Sequence, residues 1–225
     1  MPVIPFVSPK GGCGKSTSAV LLASYLAESG RSVTIIDADP NRPVSRWSKR
    51  PGKPKNLSVL ENVTEETIIK TIDRVRAGTE YVIVDLEGTA SLMVAYAISR
   101  ANLVVIPTQG SMLDAAEAVK AIRLVKRQEE AFKLTIPCAV LLTRTNAALR
   151  PRSLNAIEAE FVENGVKVFD VRLHEREAFR AVFSFGGTLS TLDPANVSNL
   201  KAARVNAEAF AVEAMGMISS ERKAA

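Results

Sequence analysis

Lys10-Gly11-Gly12-Cys13-Gly14-Lys15-Ser16-Thr17 follows an apolar run at residues 3–7 and precedes an amphipathic run that begins at Ser18. Strand, glycine loop, helix is the order that a phosphate-binding loop requires. Glycines let the backbone curl until successive N–H groups converge on one anion. The helix that follows adds the positive end of its dipole. In such a loop Lys15 reaches the β- and γ-phosphates of a nucleotide and the Ser16 hydroxyl ligates Mg²⁺. Gly11, Gly12, Cys13, Gly14, Lys15, Ser16 and Thr17 are therefore the expected phosphate-binding residues.

Outward from this loop, apolar strand candidates alternate with helix-length amphipathic segments. The pattern predicts strands at 3–8, 32–37, 57–60, 81–85, 103–107, 136–143 and 166–170. It predicts helices at 15–28, 65–76, 91–99, 113–132, 151–164, 175–183 and 196–217. The strands are rich in Val and Ile and mostly continuous rather than alternating, as expected where both faces of a sheet are covered. The fold class that follows is α/β: a doubly wound, mostly parallel sheet with helices on both faces and ligand chemistry at the carboxyl ends of the strands. A chain of 225 residues with 47% hydrophobic content can bury one sizeable core, and a single P-loop domain over 1–225 is expected.

A nucleotide triphosphatase needs carboxylates at strand ends beside the loop. Two stretches supply them. Ile35-Ile36-Asp37-Ala38-Asp39-Pro40 is a strand running into a turn, and Tyr81-Val82-Ile83-Val84-Asp85-Leu86-Glu87-Gly88 is an apolar strand ending in Asp, the form of a Walker B segment. One Asp at a strand end merely starts a turn. Asp37, Asp39 and Asp85, each in register with a strand downstream of a phosphate loop, point to a site instead.

The loop opens with Lys10 where the general pattern has Gly, giving K-G-G-x-G-K-[ST]-[ST]. This deviant Walker A sequence resembles the ParA/MinD family of ATPases, and the likeness extends over nearly the whole chain. The resemblance implies ATP and Mg²⁺ as ligands and a homodimer in which Lys10 crosses the interface to the partner's nucleotide phosphates. A cation between two polyphosphates offsets their repulsion. The Asp37-Ala38-Asp39-Pro40 stretch is similar to the family's Walker A′ segment. That likeness assigns Asp39 to the attacking water and Asp37 to the Mg²⁺ shell, with Asp85 holding Mg²⁺ through water and Gly88 near the γ-phosphate. The catalytic set it implies is Lys10, Lys15 and Asp39, and the metal set is Ser16, Asp37 and Asp85. Many partition ATPases carry D-x-P-P where this chain has Asp85-Leu86-Glu87-Gly88, so the role of Glu87 stays open. Thr143 and Arg144 match the strand end that forms the family's adenine pocket, and Arg can stack flat on a base. His174-Glu175-Arg176-Glu177-Ala178-Phe179 is similar to the partition-type, enhancer-binding ATPases of tumour-inducing plasmid virulence regions.

Composition sets further bounds. No apolar run reaches the ~20 residues that span a bilayer, and no basic segment followed by a cleavable apolar stretch marks a secretory signal. Cys13 and Cys138 form neither a metal pattern nor a disulfide framework, which suits a reducing cytoplasm. The net charge of +5 favours polyanionic partners. Arg42, Arg46, Lys49, Arg50, Lys53 and Lys55 lie in a stretch without acids. A second such stretch holds Lys133, Arg144, Arg150 and Arg152, while Lys120, Arg123, Lys126 and Arg127 are mixed with acids. With no zinc-finger, RNP or helix-turn-helix pattern, DNA binding would be phosphate-directed and largely non-specific. The family likeness implies DNA as a partner, together with a small centromere-binding or transfer-complex protein, and a cytoplasmic chain associated with nucleoid or plasmid. His174 reads as a hydrogen-bonded loop residue and Trp47 as a packing residue on a short helix. The alternative is a MinD-like membrane-positioning ATPase using an amphipathic helix at 205–218. Glu208 and Glu213 on its polar face suit anionic lipid poorly, so that helix reads as one that docks on the core. An iron–sulfur reductase is disfavoured by the cysteine positions, and a carboxylate ligase has no extra domain to hold its substrate.

Overall fold

The computed structural model describes residues 1–88, 91–147 and 152–224. In chain order the elements are β1 (Val3–Phe6), α1 (Lys15–Glu28), β2 (Val33–Ala38), α2 (Pro43–Ser48), β3 (Leu57–Leu60), α3 (Ile68–Gly78), β4 (Tyr81–Leu86) and α4 (Leu92–Ile98). They continue with β5 (Val104–Gln109), α5 (Met112–Phe132), β6 (Cys138–Thr145), α6 (Arg152–Glu163), β7 (Leu173–His174), α7 (Glu177–Phe185) and α8 (Leu200–Ala224). The strands form one seven-stranded sheet in the order β3-β2-β4-β1-β5-β6-β7, and every pairing is parallel. This is the doubly wound α/β architecture that the alternation of segments predicts.

Successive residues of a strand face opposite sides, which is why these strands are apolar throughout. Ile35 and Ile83 face a layer built from α1, α2, α7 and α8, where Leu22, Trp47 and Phe210 are buried. Ile36 and Val84 face the layer of α3 to α6, with Ile72, Ile122 and Phe161. The register that aligns these layers also pairs Asp37 with Asp85 across β2 and β4, and Asp85 with Phe6 of β1. Three carboxyl ends therefore converge on the loop that follows β1.

One expected strand is corrected. The segment 166–170 makes a single isolated bridge, Val168 to Val140, and the seventh strand is Leu173–His174. The cause lies in α8. Asp170 and Val171 donate their N–H groups to the Glu213 carboxylate at 2.8 and 2.9 Å. A side chain thus takes the donors that a ladder would use, and the chain rejoins the sheet only at Leu173. On the outer side of β7, the Asn206 amide accepts from His174 N–H at 3.0 Å and donates to the Arg172 carbonyl at 2.7 Å.

The C-terminal helix begins at Leu200 rather than 196 and docks through Ala203, Ala207, Phe210, Ala211 and Ala214, all buried. Phe210 meets Phe169 edge-on at 5.5 Å. The expected helix at 151–164 appears as Arg152–Glu163, Pro151 lying outside the described residues. Arg150 also lies outside them. Trp47 is buried on α2, and its indole N–H donates to the Gly187 carbonyl at 2.8 Å.

That contact ties the α2–β3 connection to the end of α7. Gly186 closes α7 with φ 87°, and a Cβ there would lie 2.4 Å from Arg50 Cβ and 2.9 Å from the Pro51 carbonyl oxygen. Gly186→Ala should therefore destabilise the fold by about 2 kcal/mol, through a left-handed backbone and a clash that only backbone movement relieves. Gly216→Ala, in α8 with nothing within 4 Å of the new methyl, should instead be neutral or stabilise by up to ~1 kcal/mol. Urea unfolding midpoints of the two variants give the comparison.

Candidate functional site

The turn from β1 to α1 has Gly12 at φ 75° and Gly14 at φ 92°. Gly14 is the N-cap of α1 with no side-chain cap, so the first N–H groups of the helix remain open toward an anion. The loop is clamped from the neighbouring strand ends. Thr143 of β6 donates to the Cys13 carbonyl at 2.7 Å, and Gln109 of β5 donates to the Gly12 carbonyl at 3.1 Å. From the β4 side Gly88 packs against the loop backbone: a Cβ there would sit 3.2 Å from the Pro9 carbonyl oxygen and 3.4 Å from Gly11 N. Glycine at position 88 is thus a matter of close approach.

Lys15 is buried, with its ammonium held by the carbonyls of Ser8 at 3.3 Å and Lys10 at 3.2 Å. It lines a cavity of about 430 Å³ together with Gly11, Gly12, Ser16, Thr17, Asp39 and Glu87. Lys10 does not line this cavity. Its side chain turns to α5, where Nζ meets Asp114 Oδ1 at 2.5 Å. The Lys10 side chain is 44% exposed and that of Asp114 is 5% exposed. Ser111 donates to the other Asp114 oxygen while accepting from the Asp114 N–H, which caps α5.

The carboxylates divide the work of the pocket floor. Asp37 is buried, and its Oδ2 accepts from both the N–H and the hydroxyl of Ser45, at 2.6 and 2.7 Å. Among the described residues nothing bonds its Oδ1. Burial pushes its pKa up, and the two Ser45 bonds oppose that rise. Asp85 is fully buried, and among the described residues neither of its oxygens completes a hydrogen bond. Burial pushes its pKa up to about 7. The nearby Ser16 hydroxyl opposes the rise without closing a hydrogen bond, Asp37 and Asp39 add to it, and Lys15 offsets it. Asp39 sits higher, with Oδ1 accepting from the Asn41 N–H at 2.7 Å.

Buried carboxylate oxygens without donors are costly, and a divalent cation relieves that cost. Among the described residues no group of three or more His, Cys, Asp or Glu has metal-holding geometry. The Ser16 hydroxyl and the orphan oxygens of Asp37 and Asp85 are hard oxygen donors that would hold a divalent cation and let it neutralise the charge gathered there. The metal set expected from the sequence is thus gathered in one place.

A second cavity, of about 390 Å³, adjoins the first at Gly14, Thr17 and Arg144. Leu173, Phe179 and Phe183 give its lining an apolar part, beside His174, Glu175, Arg176 and Arg180. Arg144, at φ 51° on a bulge in β6, is exposed and lines both cavities. Thr143 lines the base-side cavity too, but its hydroxyl is bound to the phosphate loop. His174 lies in β7 rather than a loop. Its Nδ1 is 2.8 Å from the Thr145 hydroxyl, and its pKa is lowered by burial and by Arg176 and Arg172.

Sequence reasoning missed Ser45, Gln109 and Asp114. Asp114 had a signal, since Ser111-x-x-Asp114 is a capping pattern at a helix start. Ser45 and Gln109 had none, because their partners are defined by tertiary contact.

Asp85 makes stability depend on pH. Its folded value near 7 exceeds the ordinary 3.8, so the folded state binds the proton more tightly than the unfolded one. The penalty is complete above pH 7 and fades as pH falls toward 4. Asp85→Asn should raise the melting temperature of the nucleotide-free protein most at pH 8, with a ceiling on the order of 4 kcal/mol, and progressively less down to pH 4.5. Calorimetry across that range measures it, and an equal gain at every pH would mean that Asp85 ionises normally.

The chain matches the family described as VirC1 protein over residues 1–222. Protein ParA of Rhizobium radiobacter is 43% identical over 212 residues, which is 94% of this chain and 95% of that protein. Protein virC1 of Rhizobium rhizogenes is 31% identical over 194 residues, 81% of this chain and 80% of that one. Among solved structures, the ATP complex of an aspartate-to-alanine variant of Cyanothece McdA superposes with a TM-score of 0.78 at 18% identity, covering 96% of each chain.

Proposed function

We propose, from the premise that this chain belongs to the VirC1 protein family, that it is an ATP-driven positioning switch of the partition type. The chain is an ATP hydrolase with a P-loop of the deviant Walker A kind. ATP and Mg²⁺ close two copies into a dimer, the closed dimer binds duplex DNA with little sequence preference, and hydrolysis releases it. The whole chain acts as one domain in the cytoplasm, on nucleoid or plasmid. The task served is partition of a replicon or placement of a DNA-transfer complex, through a small partner protein. The relatives named ParA and virC1 support the task, and the ATP complex of McdA supports the nucleotide.

The residue roles are those that the family likeness implies, and the lining of the pocket supports them. Lys15 and the open N–H groups of the loop hold the β- and γ-phosphates. Ser16, Asp37 and Asp85 would hold Mg²⁺, which supplies charge neutralisation along the phosphates when bound. Asp39 orients the attacking water at the rim. Arg144 covers the base and Thr143 fixes the loop beneath it. The single observation that carries the two-copy reading is Lys10. It belongs to the phosphate loop, yet its ammonium lies outside its own phosphate cavity, half-exposed and held by Asp114. The membrane alternative loses most of its lipid-facing residues, because Phe210, Met217 and Ile218 of α8 are buried against the core, which leaves Val205 and Val212 exposed. Among the described residues no helix is long and apolar enough to cross a membrane.

Light scattering with ATP and Mg²⁺ tests the cycle. Asp39→Ala should accumulate a dimer that binds plain duplex, and adding Lys10→Ala should abolish it. A chain that stays monomeric, or that pairs equally well without Lys10, overturns the cycle. Asp114→Asn, which releases Lys10 at nearly constant shape, should lower the ATP concentration needed for pairing by about three- to tenfold, the modest size reflecting solvent screening of the exposed lysine.

A further inference from the structure

The six residues of α2 carry two different faces. Inward, Val44, Ser45 and Trp47 are buried, Ser45 against Asp37 and Trp47 against the Gly187 carbonyl. Outward, Arg42 and Arg46 are exposed one helical turn apart, the Arg46 N–H bonding to the Arg42 carbonyl at 3.0 Å, and exposed Arg50 follows in the next turn.

The structure separates the basic residues of this segment. Lys49 pairs with Glu61, and Lys53 donates to the Leu57 carbonyl. Arg42, Arg46, Arg50 and the exposed Lys55 make no ion pair among the described residues, and Lys55 lies beyond the turn that carries the three arginines. No acidic residue occurs from Pro40 to Leu60. The exposed arginines Arg123 and Arg127 of α5 have the same four-residue spacing, but they lie among Glu117, Glu129 and Glu130.

We propose that the arginine face of α2, formed by Arg42, Arg46 and Arg50, is the surface that grips the phosphate backbone of duplex DNA. The proposal rests on the DNA reading of the preceding section and assigns that reading a place. Guanidinium forks match phosphate oxygens in pairs, and residues one turn apart present two such forks roughly 6 Å apart along the helix. An anionic lipid surface fits less well. It calls for apolar side chains beside the cations, and no large hydrophobic side chain is exposed between Met1 and Leu92.

The same helix connects this face to the nucleotide. The Arg42 N–H donates to the Asp39 carbonyl at 2.8 Å, and Ser45 grips Asp37 through both its N–H and its hydroxyl. A charge arriving at Asp37 and Asp39 acts directly on the backbone that carries Arg42 and Arg46. Ser45 is a positioning residue in this scheme.

The test is binding of the full chain, with ATP and Mg²⁺, to a labelled mixed-sequence duplex over a salt series. Removing one phosphate contact should lower the slope of log affinity against log salt by about 0.9. Arg42→Asn, which tolerates the left-handed backbone at φ 49°, combined with Arg46→Gln should therefore lose close to two units of slope for each protomer that touches the duplex, and at least tenfold in affinity at low salt. Arg46→Gln alone should lose about one on the same count. The matched pair Arg123→Gln and Arg127→Gln should bind like wild type. Ser45→Ala should bring the ratio of affinities with and without ATP toward one. If wild type binds duplex and the α2 variants bind with the same slope, or if the α5 pair shows the loss instead, the placement on α2 is overturned. An unchanged ATP ratio in Ser45→Ala removes the link to the nucleotide. If wild type binds no duplex, the DNA reading itself falls, and capture on anionic vesicles lost in the α2 variants would reassign the face to lipid.

Discussion

Two carboxylates buried side by side, at matched positions on neighbouring strands, set the terms for everything around them. Asp37 and Asp85 are in register across β2 and β4, with little water to solvate either. At an effective dielectric of about 20, like charges 4 Å apart repel by roughly 4 kcal/mol. The fold answers with a few donors: Ser45 on one oxygen of Asp37, the Ser16 hydroxyl near Asp85, and the buried ammonium of Lys15. These are too few, and among the described residues three carboxylate oxygens remain without partners. A pocket left short of positive charge next to a loop short of negative charge would be stabilised by a metal–phosphate pair, which would supply both at once.

Around this centre the loop backbone is held from several directions, by the Thr143 and Gln109 side chains and by the bare face of Gly88. Preorganised donors act without reorganisation when charge arrives. The strain of placing left-handed residues at Gly12 and Gly14 is avoided by the absence of side chains. The first turn of α1 carries no acid that would compete with a bound anion.

Much of this was legible in the sequence because it is local. The phosphate loop is contiguous, and its flanking strand and helix follow from apolar periodicity; α1 matches its expected bounds, 15–28. Asp37, Asp39 and Asp85 were legible because strand ends in a parallel sheet point to one rim. What escaped depends on long-range contact. Nothing near residue 170 signals that Glu213, far along the chain, intercepts two N–H groups and displaces the last strand to Leu173. Thr143, which the family likeness puts at the base, lines the base-side cavity, and no pattern in the chain showed that its hydroxyl also holds the Cys13 carbonyl. The acid-free run at 40–60 reads as uniformly basic, but Lys49 and Lys53 have a partner within reach, whereas Arg42, Arg46, Arg50 and Lys55 make no ion pair among the described residues.

The two lateral margins of the sheet are closed by side chains rather than by strands. At β7 the Asn206 amide offers one acceptor and one donor to the outer edge, as a further strand would. At β3 the Lys53 ammonium covers the Leu57 carbonyl. Neither margin presents a long row of free backbone groups, so recruitment of an extended segment from another molecule finds little template there. Sheet extension, with its risk of open-ended fibres, is thereby disfavoured, and the pairing proposed above would fall instead to the loops at the carboxyl ends of the strands, where a closed twofold assembly would end growth at a pair.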